Sequence, residues 1–536
     1  MKIYFAWPNY KSFPYERRLA ARELEALTGH KPKEDEKGLV VEAADKWKQL
    51  ASQVTYFREA VSEDGTRVVP TQTVLEALAN GSDYSVGTRV GKFANISRQS
   101  TRYSGHGLHE YRGKFNPQIV RAIANIISLK QGQWLLDPFC GSGTALLEAC
   151  HCGFNAVGVD LNPLAVEIAN AKIAAMRVPI RVLRRDTDLL WSRLSERFSS
   201  LRLHEPFNAN QIRRIAGSNW LQFSDSAEYL KSWFTESVLV QLVSILDEIN
   251  KLRSPDSRLI MTIILSDIVR DVSLQDADDL RIRRQKSPPD NLPAVPMFLN
   301  SLSKKIPPIL KARELVPLVQ TNQVALLGDV TNLQTMLREK SVELPHKFFD
   351  AAITSPPYAT ALPYIDTQRL SLVLLGLIKA TEIREVERSL IGNREISSKE
   401  RNELERVLEN NTEQLPENCL SFCKTLKSAI KPRSDGFRRQ NVPALLYKYL
   451  SDMARMFHQV RLVLRKGAPY ALIVGKNTTK LGGSQYVIDT PQLLSGLAIA
   501  NGFKVAETIN LDTYHRFDVH SANSIRKETL VLLESC

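Results

Sequence analysis

Apolar residues recur along this chain with two periods, one of strands and one of helices. Lys2–Ala6 is a short β-rich run, and Glu16–Leu27 places Leu19, Leu24 and Leu27 on one helical face, with Gly29 where a C-cap belongs. Gly38–Val41 and Val54–Phe57 predict further strands, and the charged stretch 30–37 a solvated turn. Together these make a small α/β unit over residues 1–80. Residues 81–104, rich in Gly, Ser, Asn and Arg, predict a linker. From 105 to 172 the pattern sharpens. A helix at Pro117–Ile127 precedes a buried strand at Gln133–Leu136, a glycine loop at Asp137–Thr144, a helix through Cys150, and a strand at Ala156–Val159 that ends on Asp160. That order is one βαβ unit of a doubly wound sheet.

Long helical patterns fill 173–318, Leu230–Ile249 being the clearest, with a Pro-rich loop at Ser287–Pro296. Strands return between 319 and 365, at Gln323–Leu327 and Phe348–Ile353. A charged helical excursion occupies 366–440. The span 441–536 then holds a helix at Leu446–Leu464, a strand at Tyr470–Val474, a helix at Pro491–Asn501 and strands at Lys504–Asn510 and Glu528–Leu533. The expected class is α/β: a doubly wound, Rossmann-like sheet with a small N-terminal α/β unit and a helical insertion.

Composition narrows this picture. Of 536 residues, 43% are hydrophobic and 24% charged, enough to bury a core and to exclude wholesale disorder. No apolar run approaches the roughly 20 residues of a membrane span. Pro8 and Asn9 interrupt the start too early for a secretory signal, and six cysteines make no disulfide framework, so a reducing, cytoplasmic compartment is expected. The formal charge of +13 suits a polyanionic partner, nucleic acid first. Basic clusters that could grip a phosphate backbone are Arg98, Arg102, Arg112 and Arg121; Arg181, Arg184 and Arg185; Arg281, Arg283, Arg284 and Lys286; and Lys431, Arg433, Arg438 and Arg439.

Two short segments carry candidate chemistry. In the loop Asp137-Pro-Phe-Cys-Gly-Ser-Gly-Thr144, Gly141 and Gly143 let a ligand approach the backbone, and Asp160, at the end of the next strand, is placed to bond a ribose diol. No GxxxxGK[ST] pattern is present. In Ser355-Pro-Pro-Tyr358, two prolines stop the preceding strand and stiffen the chain at the sheet edge where ligands bind. The turn offers carbonyl and hydroxyl acceptors beside the ring of Tyr358, a set that suits a planar base bearing an amino group. Cys140 reads as a small buried residue. Cys150-His-Cys152 and the pair Cys419 and Cys423 lack metal-ligand spacing, so no metal is assigned.

Together these segments resemble motifs I and IV of the S-adenosylmethionine-dependent amino-methyltransferases that modify DNA at cytosine N4 or adenine N6. His109-Glu-Tyr-Arg-Gly-Lys-Phe-Asn-Pro117 resembles the family's motif X, Val159-Asp-Leu-Asn-Pro163 its motif II, and Leu327-Gly-Asp329 its motif III. The resemblance covers about 105–172 and 320–535. It implies that Asp137, Phe139, Gly141 and Gly143 line the methionine end of the cofactor. By the same resemblance Asp160 takes the ribose, Asp329 the adenine amino group, and Lys114 and Phe115 close the pocket. Ser355, Pro356, Pro357 and Tyr358 would hold the target base, and a Ser at the head of motif IV leans toward cytosine N4. The chain has no Pro-Cys pair, which argues against C5 methylation.

A base inside a duplex must be flipped out to reach such a pocket. The insertion 173–318 is the expected target-recognition region, and 366–440 its rival. A restriction activity would need another chain. The N-terminal unit is similar to that of tRNA guanine-N2 methyltransferases, which keeps RNA as the second substrate. A nucleic-acid-binding protein with a vestigial cofactor fold, or a nicotinamide oxidoreductase, are the readings of other classes; the last leaves Ser355–Tyr358 unexplained.

Overall fold

The structure is a computed structural model. It describes the chain apart from residues 43–45, 81–98, 112, 115, 199–225, 277–282, 286–291, 317, 341–347, 360–364, 394–395 and 513–526. The N-terminal unit comprises β1 (Lys2–Ala6), α1 (Pro14–Thr28), β2 (Lys33–Asp35), β3 (Gly38–Glu42), α2 (Trp47–Gln53), β4 (Glu59–Ser62), β5 (Arg67–Val68) and α3 (Thr71–Ala79). Its strands form an antiparallel sheet of order β2-β3-β1-β4-β5. Gly29 ends α1 at φ +73, as its position predicted.

Two expectations here need correction. The strand expected at Val54–Phe57 lies later, at β4. Val54, Tyr56 and Phe57 are buried in the connection before it, so their apolar run signals core packing rather than a strand. The charged stretch 30–37 is not all turn, because Lys33–Asp35 pairs with β3 as an exposed edge strand. Its charges suit that place, since they oppose pairing with another chain.

The second sheet has seven strands. After α4 (Pro117–Ile126) come β6 (Trp134–Asp137), α5 (Thr144–Cys152), β7 (Asn155–Asp160), α6 (Pro163–Arg177) and α7 (Ile180–Arg197). Helices at Ala227–Trp233, Glu236–Asn250, Pro255–Val269 and Ala294–Leu315 lead to β8 (Gln323–Leu327) and β9 (Ala351–Thr354). Then follow β10 (Pro469–Gly475), the hairpin β11 (Asn477–Leu481) and β12 (Ser484–Ile488), β13 (Phe503–Asp512) and β14 (Lys527–Ser535). The order is β13-β14-β10-β9-β6-β7-β8. Strands β8, β7, β6, β9 and β10 run parallel, and β14 and β13 close one edge antiparallel. The inner parallel strands β7, β6, β9 and β10 are buried on both faces, hence their continuous apolar runs, while the edge strand β8 is only partly covered.

The helix expected at Leu230–Ile249 is two. The chain extends at Phe234, and the Thr235 hydroxyl accepts from Val238 N to start a new helix. Phe348–Ile353 shortens to β9, with Phe349 making an isolated bridge to Leu464. The hairpin at Asn477–Ile488 was not anticipated, although Gly482 and Gly483 at its turn, both at positive φ, are a strong hairpin signal. Residues 81–98 of the expected linker and 287–291 of the expected loop lie outside the described residues.

The N-terminal unit is bound to the seven-stranded domain through polar bonds, two of them buried and the third half-exposed. Asn125 of α4 donates to Glu23 at 2.7 Å, Gln118 donates to Glu76 at 2.6 Å, and Arg22 pairs with Glu507 of β13 at 2.7 Å. Burial pushes the Glu23 and Glu76 carboxyls up to about 7. No helix among the described residues is long and apolar enough to cross a membrane.

Candidate active site

Strand order reverses between β6 and β9: from β6 the chain moves outward through β7 to β8, then returns to place β9 on the other side of β6. In doubly wound sheets the two loops that leave such neighbours part company and open a crevice at the carboxyl edge. A cleft with about 680 Å³ of empty space, open to solvent, lies there. One wall is Pro138, Phe139, Gly141, Asp160, Leu161 and Asn162; another is Ser355 and Pro357. The remaining lining comes from Tyr111, Gly113, Gly328, Val330, Leu390 and Ile391. The two sequence segments, more than 200 residues apart, therefore open onto one rim.

The glycine loop is held by its own neighbourhood. Cys140 N donates to Val159 O at 3.0 Å, Gly143 N to Cys140 O at 2.7 Å and Gly141 N to the Asp160 carboxylate at 2.9 Å. Asn162 N also donates to Asp160, at 2.8 Å. Gly143 is at φ +76, and a Cβ there would lie 2.6 Å from the Cβ of Ala169 on α6. Only glycine allows that turn and that approach together. Burial pushes the Asp160 carboxyl up to about 6, against the backbone N–H groups of Asn162, Gly141 and Leu161 that favour its charge. Cys140 is buried in the loop, packed toward Gly158.

The two walls are joined by one short bond. Thr354 Oγ1 donates to Asp137 Oδ1 at 2.6 Å, and that oxygen also accepts from Phe139 N. Asp137 is fully buried, its Oδ2 has no partner among the described residues, and burial pushes its carboxyl up to about 7. Sequence reasoning missed Thr354, whose role shows only once β9 lies beside β6.

Of the residues expected to form the site, Phe139, Gly141, Asp160, Ser355 and Pro357 line the cleft. Asp137 and Gly143 support the loop from behind. Pro356 is buried beneath the turn. The Asp329 carboxylate caps the following turn by accepting from Thr331 N at 2.8 Å, while its neighbours Gly328 and Val330 face the cleft. Lys114 turns back to donate to His106 O at 3.3 Å, so the segment resembling motif X reaches the cleft through Tyr111 and Gly113 instead. Phe115 lies outside the described residues. Tyr358, half-buried, is not among the residues that line this cleft; its hydroxyl donates to Glu528 Oε1 at 2.6 Å. Leu390 and Ile391, from the excursion 366–440, had no local signal in the sequence.

Buried polar groups brace the floor. Glu148 on α5 accepts from Tyr103 and from His106, each at 2.8 Å, and pairs with Arg121 at 2.9 Å. Burial opposes the charge on Glu148, but Arg121 and His106 outweigh it and hold the carboxyl below its usual range. Arg121, proposed from the sequence as a phosphate contact, is therefore a buried structural ion. Lys172 on α6 is fully buried and donates to Ser142 O at 2.8 Å and Oγ at 3.1 Å, fixing the middle of the glycine loop. Arg184 and Arg185 are exposed and paired with Glu314 and Asp186. Arg98, Arg112, Arg281 and Lys286 lie outside the described residues. Cys150, Cys419 and Cys423 are buried in helices.

The donor set fits a nucleoside-bearing cofactor. A carboxylate meets the cleft beside a glycine backbone, and Phe139, Leu161, Val330 and Ile391 supply the apolar walls a purine needs.

Residues 107–191 match the family model described as "RMKL-like, methyltransferase domain". Over 314 residues the chain is 24% identical to the type II methyltransferase M.MvaI of Kocuria varians, covering 56% of this chain and 65% of that protein. Over 458 residues it is 23% identical to the type II methyltransferase M.AvaI of a Nostoc species, covering 81% of this chain and 86% of that one. A shorter match, 30% identical over 120 residues, is to the tRNA (guanine(10)-N2)-dimethyltransferase of Methanothermobacter thermautotrophicus, covering 22% of this chain and 35% of that protein. Among solved structures, TrmN from Thermus thermophilus aligns with a TM-score of 0.31 at 10% identity, covering 100% of this chain and 99% of that one.

Proposed function

We propose, from the premise that this chain carries an S-adenosylmethionine-dependent methyltransferase domain and has type II methyltransferases among its relatives, that it methylates an exocyclic amino group of a DNA base, cytosine N4 first and adenine N6 as the alternative. The observation that carries this reading is the shared cleft, with Gly141 and Asp160 on one wall and Ser355 and Pro357 on the other.

Bound S-adenosylmethionine supplies an electrophilic methyl group. The chain's own residues then have three tasks. Asp160, ionised above about pH 6, accepts from the ribose hydroxyls, while Gly141 and Phe139 admit the methionine end against bare backbone. Ser355 Oγ and the carbonyls of the proline turn accept the amino hydrogens of the target base and turn its nitrogen lone pair toward the methyl carbon. Tyr358 offers its ring as a stacking surface for the extruded base, worth about 1–3 kcal/mol. The base nitrogen would form its bond to the methyl carbon as the sulfur–methyl bond breaks, releasing S-adenosylhomocysteine. The surplus amino proton would pass to solvent along the acceptors that hold it. No enzyme nucleophile is required, and the buried Cys140 thiol is kept out of the chemistry.

The excess of basic residues, +13 overall, supports a nucleic-acid partner. The longer matches, to type II methyltransferases, favour DNA, and the chain's place would then be beside a separate restriction or defence partner. The tRNA reading is favoured by shorter matches, to two tRNA (guanine(10)-N2)-dimethyltransferases, and by the likeness of the N-terminal unit. Methyl-labelled S-adenosylmethionine, offered with unmethylated DNA and tRNA side by side, tests the choice. Label in DNA is expected, and label confined to tRNA would reverse it.

A further inference from the structure

Tyr358 was singled out for its ring, yet its hydroxyl is spoken for. Strand β14 runs antiparallel to β10 and sets Glu528 opposite Gly475, the last residue of β10. Because β10 is parallel to β9, that register brings Glu528 to the same carboxyl edge from which the turn 354–359 leaves, two strands away. The Tyr358 phenol donates to Glu528 Oε1 across 2.6 Å, a charge-assisted bond spanning 170 residues of sequence.

The other end of the residue is also fixed. Ala359 O accepts from Asn477 Nδ2 at 2.8 Å, and Gly392, at φ +84, comes so close that a Cβ there would lie 2.8 Å from Tyr358 O. The Glu528 charge also reaches Tyr15, buried at the start of α1, whose phenol is pushed up by burial first, then by Glu16, and in smaller part by Glu528. The turn is thus held along its backbone and the ring at its tip, by groups from β14, the start of β11 and the excursion 366–440.

We infer that Glu528 is a positioning residue for methyl transfer: its carboxylate holds the Tyr358 hydroxyl and so fixes the ring plane against which the target base stacks. This rests on the proposed role of the turn. A ring already held in place loses no rotational freedom when the base arrives, and base, nitrogen and methyl carbon meet in one geometry. Glu528 touches neither cofactor nor base in this account; it acts through Tyr358.

The test uses the full chain with PCR-amplified, hence unmethylated, bacteriophage DNA. Glu528→Ala is expected to lower kcat about tenfold with S-adenosylmethionine affinity unchanged. Glu528→Gln, whose amide oxygen still accepts the phenol proton, should recover most of that loss and guards against a folding artefact. Tyr358→Phe should reproduce the loss, and adding Glu528→Ala to it should cost nothing further. Wild-type turnover in Glu528→Ala, a loss that adds fully to that of Tyr358→Phe, or a matching fall in cofactor affinity would each overturn the inference while leaving the function standing. A wild-type chain inert on both DNA and tRNA would overturn the two together.

Discussion

The two walls of the cleft are built differently. The glycine loop is secured by groups within about one βαβ unit: Val159 O, Cys140 O, the Asp160 carboxylate and the Cα–Cβ of Ala169. The turn 354–359 is secured from across the molecule, by Asp137, Asn477, Gly392 and Glu528. The first wall is therefore a local device and the second a tertiary one. Cofactor binding should survive damage to the target wall, while methyl transfer should fail when either wall is disturbed.

The harshest way to break this asymmetry is Asp160→Ala. It removes the acceptor of Gly141 N and Asn162 N as well as the proposed ribose contact, and S-adenosylmethionine affinity measured by calorimetry should fall about 100-fold or more. A change of less than a few-fold would remove Asp160 from the cofactor wall.

Gly392→Ala strikes the other wall. A methyl group 2.8 Å from Tyr358 O, at φ +84, forces the turn to move, and transfer should drop about tenfold with cofactor affinity unchanged. Equal losses in both measurements would mean that the walls are not separable.

Thr354→Val cuts the direct side-chain bond between them and, among the described residues, leaves Asp137 only Phe139 N as a donor. Chemical denaturation should show a loss of about 1–3 kcal/mol, because a buried acceptor is left underused, and transfer should fall several-fold. Full stability would show that Asp137 had no need of Thr354.

Much of the first wall could be read directly from the sequence, because its parts are neighbours in the chain. Gly141, Gly143 and Asp160 sit at the spacing a strand, a tight turn, a helix and a second strand impose. Asn162 before Pro163 marks the helix that follows, and Asn162 does cap it, accepting from Leu164 N. The second wall was visible only as Ser355–Tyr358, since nothing near those residues announces Asn477, Gly392 or Glu528. Side chains also choose between partners in ways that the motifs do not announce. Lys114 goes to His106 O and Asp329 to Thr331 N, while Tyr111 and Val330 take the lining. Strand positions failed where apolar residues pack without pairing, as at Val54–Phe57.

The smallest effects come from pH, and they separate cofactor binding from folding. The Asp160 carboxyl, raised to about 6, must be ionised to accept from hydroxyls, so cofactor affinity should weaken as pH falls through about 6, and Asp160→Asn should flatten the profile. The ligand-free chain should respond with the opposite sign. Asp137, Glu23 and Glu76 are all raised by burial to about 7, so the stability of their protonated forms is complete below their unfolded values and is lost as pH rises through about 7. Melting temperature should therefore rise modestly between pH 8 and 6.5. Below 6.5 the gain should flatten. His106, His109 and His151, held neutral by burial down to about 3 to 4, then cost stability because the unfolded chain protonates first. A melting temperature that falls from pH 8 to 6.5 would contradict the burial of those carboxyls.

The most direct test of the account is the identity of the methylated atom. DNA treated with the full chain and methyl-labelled S-adenosylmethionine, then digested to nucleosides and separated by mass-resolved chromatography, should carry its label as N4-methylcytosine. Label on cytosine C5, on a sugar or phosphate, or in no DNA nucleoside would contradict a cleft in which an amino nitrogen, held at Ser355, meets an activated methyl group across the rim from Asp160.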